Sequence, residues 1–156
     1  MTIRLTQPES EVHWHHARQL IEEYAASLKL DLSFQNLAYE LEHLKDEYAP
    51  PMGAFLLAQE DGSHLGCVGL RRFSNDAGEI KRLYMIPAAR GRGVGRILAE
   101  GIVAAGKKLG YARLLLDTLP SMKPAHLLYM SLGFKSIPAY RFNPVPGTAY
   151  LELELR

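Results

Sequence analysis

Along this chain, short apolar runs alternate with longer segments in which apolar side chains recur every three or four positions, so strands and helices are expected in turn. Residues 3–7 predict a first strand. Pro8-Glu9-Ser10-Glu11 reads as a helix start leading into a helix over 13–28, and residues 34–44 predict a second helix with Leu37, Leu41 and Leu44 on one stripe, stopped by Pro50-Pro51. Residues 54–59 and 65–73 are strand-like and joined at Glu60-Asp61-Gly62-Ser63, where glycine accepts the positive φ of a tight hairpin. A strand over 79–86 and a helix over 94–109 follow, the helix with Val94, Ile97, Leu98, Ile102 and Ala105 close to helical spacing. The remaining elements are a strand over 112–118, a helix near 124–132 and strands near 134–137 and 149–155. The predicted order is β-α-α-β-β-β-α-β-α-β-β, without internal repeat, low-complexity tract or long linker.

Between the 79–86 strand and the 94–109 helix lies Met85-Ile86-Pro87-Ala88-Ala89-Arg90-Gly91-Arg92-Gly93-Val94-Gly95-Arg96. Glycines let backbone N–H groups approach phosphate oxygens, and the first turn of a helix leaves such groups without intrahelical partners while its dipole favours an anion. Arg90, Arg92 and Arg96 add charge of the right sign. The segment therefore suits a pyrophosphate. A solvated turn is the plain alternative, and a dinucleotide fold the sharper one, with Asp117 at a suitable distance beyond; but the spacing is G-x-G-x-G rather than G-x-G-x-x-G, and only 61 residues follow Gly95. No Gly-Lys-Ser or Gly-Lys-Thr is present to make a P-loop.

This loop resembles the Q/R-x-x-G-x-G/A segment of the GNAT superfamily of acetyl-CoA-dependent N-acetyltransferases, with Arg90, Gly93 and Gly95 in register. The resemblance extends upstream through Glu79-Ile80-Lys81-Arg82-Leu83-Tyr84-Met85. Downstream, Ala125-His126-Leu127-Leu128-Tyr129-Met130-Ser131-Leu132-Gly133-Phe134 is similar to the family's A-x-x-L-Y-x-x-x-G-F segment. It implies an α/β (α+β) fold with a mixed, mostly antiparallel twisted sheet, splayed between the fourth and fifth strands and flanked by helices. The first 75 or so residues add no motif.

Length and charge fit that expectation. With 156 residues, 47% of them apolar, residues 1–156 are expected to form a single domain able to bury its own core. Cys67 lies in an apolar stretch and reads as a small buried side chain. The N-terminal residues lack a signal-peptide pattern and no window reaches the roughly 18 apolar residues of a membrane span, so a cytoplasmic protein without a membrane partner is expected. A net charge of +1 gives no support for a nucleic-acid partner. Basic residues nevertheless gather at Lys81, Arg82, Arg90, Arg92, Arg96, Lys107, Lys108 and Arg113, with acidic ones at Glu22, Glu23, Glu40, Glu42, Asp46 and Glu47. His13, His15 and His16 lack a sequence partner to complete a metal site, and no metal is expected.

The resemblance implies acetyl-CoA as co-substrate and an amine acceptor. It assigns cofactor contacts to Leu83, Tyr84 and Met85, whose backbone would also stabilise the oxyanion, and to Arg90, Gly91, Arg92, Gly93, Val94, Gly95 and Arg96. Tyr129 matches the tyrosine acid that protonates the departing thiolate; beside Leu127, Leu128 and Leu132 it equally fits a core position. Glu79, eleven residues before Arg90, matches the general-base glutamate of a subset of the family, while strand alternation puts it on the face of Lys81 and leaves a surface ion pair open. Met122 stands where many members have a pantetheine-contacting asparagine, with Ser121 and Lys123 nearby. Residues 34–48 and the proline-stiffened 136–150 are the expected acceptor walls, the latter alternatively a strand connection or a homodimer contact. A small, amino-acid-like amine is the expected acceptor, with Arg141 a carboxylate clamp; peptide and protein amines stay open, as does a non-catalytic acetyl-CoA sensor.

Overall fold

A computed structural model describes residues 2–29 and 36–156. Its elements are β1 (Arg4–Thr6), α1 (Glu11–Leu28), α2 (Leu37–Glu42), α3 (Leu44–Tyr48), β2 (Ala54–Glu60), β3 (Ser63–Arg72), β4 (Ala77–Met85), α4 (Val94–Lys108), β5 (Arg113–Thr118), α5 (Lys123–Ser131), β6 (Lys135–Ile137) and β7 (Ala149–Glu154). The strands form one seven-stranded sheet in the order β1-β2-β3-β4-β5-β7-β6. Every neighbouring pair is antiparallel except β4 and β5, which run parallel, so the sheet is mixed and mostly antiparallel as expected.

Alternation along β2 shows why the sheet is covered on both sides. Leu56 and Ala58 join Val68, Leu70, Ile80 and Leu114 under Val94, Leu98 and Ile102 of α4. Phe55 and Leu57 face the other way, against Ala17, Leu20 and Ile21 of α1 and Leu44 and Tyr48 of α3. A period of two feeds two cores from one strand. Gly69 makes room for the second core, since a Cβ there would lie 2.6 Å from the Tyr48 ring. The hairpin between β2 and β3 turns through Asp61 and Gly62, both at positive φ (50° and 80°), which matches the right-handed twist of the strands.

One predicted helix is divided. The stripe of Leu37, Leu41 and Leu44 spans two short helices separated at His43, where φ is −127° and ψ 29°, and the second ends at Tyr48 before the two prolines. Phe34, the expected start, lies outside the described residues. Ser10 caps α1 by accepting from the His13 N–H at 3.3 Å, the role its position in the helix start implies.

Candidate active site

Pairing between β4 and β5 covers only Ala77–Arg113, Gly78–Leu114 and Glu79–Leu115. Beyond Glu79 the two strands part. On its other side β4 slips register against β3 between Cys67 and Gly69, and Arg82 takes a left-handed φ of 65°. Such a bulge bends a strand and re-aims its side chains, and here it leads β4 away from β5.

Two cavities meet in the opening. The larger, about 590 Å³, runs beside the glycine loop and is bounded by Leu83, Tyr84 and Met85 of β4, by Ala89, Arg90, Gly91, Gly93, Val94 and Gly95, and by α1 and α5 residues opposite. The smaller, about 40 Å³, lies between the strands and includes Lys81, Arg82, Asp117, Thr118, Tyr129 and Asn143 in its wall. Tyr24, Leu28, Leu83, Met122 and Ala125 border both. The first has the size of a small-molecule site, and the second has room for a small group only.

At the loop, Gly91 and Gly93 sit at φ 78° and 79°, a conformation costly for residues with a Cβ. Gly93 is the N-cap of α4 and supplies no side-chain cap; the first turn carries no acidic residue, and Lys107 and Lys108 occupy the last. The N-terminal amides are thus left for an anion. Arg90 lines the larger cavity, its Nε donating to the Met85 carbonyl at 3.2 Å and its guanidinium lying 5.8 Å from the Tyr84 ring centroid. Arg92 instead donates to Glu60 at 2.6 Å and Arg96 to the Ser131 hydroxyl at 2.9 Å; neither lines the cavity. Of the residues expected to contact cofactor, the structure gathers Leu83, Tyr84, Met85, Arg90, Gly91, Gly93, Val94 and Gly95 around one space. Thr118, 5% exposed, lines the smaller cavity, and its Oγ1 has no hydrogen-bond partner among the described residues.

Tyr129 fits both of its readings. Its ring packs edge-on against Phe134, with centroids 5.2 Å apart, within the α4-side core, and it also borders the smaller cavity. Burial pushes its hydroxyl well above the ordinary tyrosine range, so it stays protonated at neutral pH.

Glu79 is fully buried, not on the surface, and lines neither cavity. Its carboxylate accepts from Arg141 at 2.7 Å, Tyr140 at 2.7 Å and Arg71 at 3.3 Å. Arg71 lies 3.5 Å from Glu40, which is also buried and holds Arg82 through two bonds of 2.9 Å. Burial pushes the Glu40 carboxyl up, but the hydrogen bonds and charge of Arg82, with Arg71 and Lys81, hold it below the usual carboxylate range. Arg141, expected as a clamp, donates from one nitrogen to Glu79 and sits over the Phe73 and Tyr140 rings, while its buried Nε has no partner among the described residues.

Several site residues escaped the sequence reading. Tyr24 arrives from α1, Asp117 and Thr118 from the end of β5, and Asn143 from the connection before β7. Lys81 stands out in the sequence only as one of the basic cluster and a neighbour of Glu79; its Nζ lies 4.0 Å from Asp117, and burial pulls its pKa down to about 8. Alternating strand positions were the available signal for Lys81 and Asp117, and strand separation was not. Among the described residues no group of three or more His, Cys, Asp or Glu is placed to hold a metal ion, and no helix is long and apolar enough to cross a membrane.

Residues 14–134 match the sequence model of the Acetyltransferase (GNAT) family. An uncharacterized N-acetyltransferase of Schizosaccharomyces pombe is 40% identical over 140 residues, covering 88% of this chain and 86% of the relative. An IAA acetyltransferase of Azospirillum brasilense is 32% identical over 120 residues, covering 74% and 78%. In fold, the chain superimposes on the crystal structure of a GNAT-family acetyltransferase from Staphylococcus aureus with a TM-score of 0.81 over 99% of this chain and 100% of the other, at 19% identity.

Proposed function

Because the chain belongs to the GNAT family of acetyltransferases, we propose that it transfers the acetyl group of acetyl-CoA to the primary amine of a small molecule, in the opening between β4 and β5. The observation that carries this reading is the meeting of the two cavities at Leu83, Met122 and Ala125. From the α4 amides, the larger cavity leads inward along Leu83, Met122 and Ala125 to the chamber, a route that a chain of CoA's length can follow.

Acetyl-CoA supplies an activated acyl carbon and a thiol leaving group. Gly93, Val94 and Gly95 offer backbone donors to the diphosphate, and Arg90 covers it from the cavity wall. β4 beyond Glu79 is released from β5, so its backbone near Leu83 is available to donate to a carbonyl oxygen as charge develops there. Tyr129, kept protonated by burial, supplies the proton of the departing thiol. The smaller cavity admits an amine head group and little beyond it, so the rest of the acceptor lies outside the chamber.

Calorimetry with acetyl-CoA and with NADPH, followed by thiol release over a panel of amino acids and alkylamines, tests the proposal. Micromolar acetyl-CoA binding with amine-dependent thiol release is expected. Binding without release from any amine points to a sensor; NADPH binding without CoA binding ends the reading.

A further inference from the structure

We propose that Asp117, not Glu79, takes the proton from the acceptor's ammonium group. The inference deepens the proposed acetyl transfer and rests on it. It starts from a difference between two carboxylates, Glu79 fully buried and Asp117 partly exposed. Glu79 accepts from two guanidinium groups and a tyrosine hydroxyl and borders neither of the two cavities, so an incoming N–H finds its lone pairs already engaged. Asp117 forms part of the chamber wall, and its polar contacts are loose: Asn143 Nδ2 at 3.4 Å on Oδ2 and Lys81 Nζ at 4.0 Å from Oδ1. A carboxylate has about four acceptor sites, so Asp117 keeps capacity for a donor entering the chamber.

Thr118 adds an independent observation. It follows Asp117 on β5, borders the same chamber, and its buried hydroxyl lacks a partner among the described residues. Two adjacent polar side chains thus present unused hydrogen-bonding capacity to a space of about 40 Å³, which matches a polar head group.

The titratable groups that feel the Asp117 charge are Lys81 from β4, Tyr24 from α1, Tyr140 from the connection and Tyr150 from β7. The tyrosines are neutral at pH 7, with burial as the first cause in each case. Burial lowers the Lys81 pKa to about 8, so Lys81 carries most of its charge at neutral pH. Its charge also disfavours a second ammonium in the same chamber, which pushes the acceptor's proton toward Asp117.

The protons and bonds balance. One N–H proton of the ammonium passes to an Asp117 oxygen, and the freed nitrogen pair bonds the acyl carbon. As the C–S bond breaks, the thiolate takes the Tyr129 proton, the second nitrogen proton restores Tyr129 through solvent, and Asp117 releases its own, for a net loss of one proton.

The test compares wild type, Asp117→Asn and Glu79→Gln by calorimetry with acetyl-CoA and by thiol release from pH 6 to 10, using the best amine of the panel and a weakly basic fluorinated analogue that is uncharged at neutral pH. Asp117→Asn is expected to bind acetyl-CoA within about twofold of wild type and to lose on the order of 100-fold in kcat/KM at pH 7 with the basic amine. That loss shrinks tenfold per pH unit toward the amine's own pKa, and it largely disappears with the fluorinated amine. Glu79→Gln, which loosens the arginine cluster, loses activity equally for both amines and keeps the wild-type pH dependence. A wild-type-shaped profile for Asp117→Asn, or equal losses with both amines, overturns the assignment. Wild type that binds acetyl-CoA and acetylates no amine overturns the functional reading itself, an outcome seen before any variant is made.

Discussion

Tyr129 belongs to the core and to the chamber at once, and burial serves both: the ring contributes to packing while the raised pKa keeps a proton in place for transfer. Tyr129→Phe keeps the ring, so kcat is expected to fall by about 100-fold with acetyl-CoA affinity changed by less than twofold, measured by thiol release and calorimetry. Lys81 leaves a different signature. Its pKa falls from 10.5 in the unfolded chain to about 8 in the fold, chiefly through burial, so between those values the unfolded state binds more protons and stability rises with pH. Thermal melts should show that rise from pH 8 to 10.5 in wild type and lose it in Lys81→Met. The motif marked Tyr129 because its neighbours along the chain are diagnostic; nothing adjacent in sequence marks Lys81 as a buried cation.

The N-termini of α1 and α4 are built for different purposes. Ser10 satisfies a donor of α1 with its own side chain, while Gly93 leaves those of α4 for a ligand. Gly93 requires no space around it, since a Cβ there would meet nothing within 4 Å; what it provides is backbone freedom at φ 79°. Gly93→Ala is therefore expected to cost about 1–2 kcal/mol of stability by urea unfolding, from left-handed strain alone. If the loop relaxes to avoid that strain, acetyl-CoA binding weakens by roughly tenfold, or about 1.4 kcal/mol, by calorimetry. The glycines and the helix following them were readable because both signals are local. That Arg92 and Arg96 turn toward Glu60 and Ser131 was not, for those partners lie 32 and 35 residues away.

Across the molecule, one buried charge cluster ties the helical layer to the sheet and to the connection before β7. Glu40 of α2 holds Arg82 of β4, Arg71 of β3 bridges Glu40 and Glu79, and Glu79 gathers Tyr140 and Arg141. Removing one member takes a counter-charge from its buried partners, so Glu40→Gln is expected to cost about 3–5 kcal/mol in a urea titration. Because the Glu40 pKa is lowered by folding, its contribution is present above the unfolded value of 4.5 and fades as pH falls through the folded one. Acid unfolding of Glu40→Gln should accordingly be less steep than that of wild type.

Periodicity and neighbouring motifs alone determined the succession of elements apart from the break between α2 and α3, the glycine turn that opens α4, and the family, because each depends on residues within about one turn or one strand of one another. The tertiary structure decided which side chains share a chamber. A bulge at Arg82 and three residue pairs of β4–β5 contact set the separation of the strands, and with it whether Asp117, Thr118 and Tyr24 face a common space while Glu79 is closed off by arginines from elsewhere. Partner choice over such distances follows from register and packing, which alternation along a single strand does not contain.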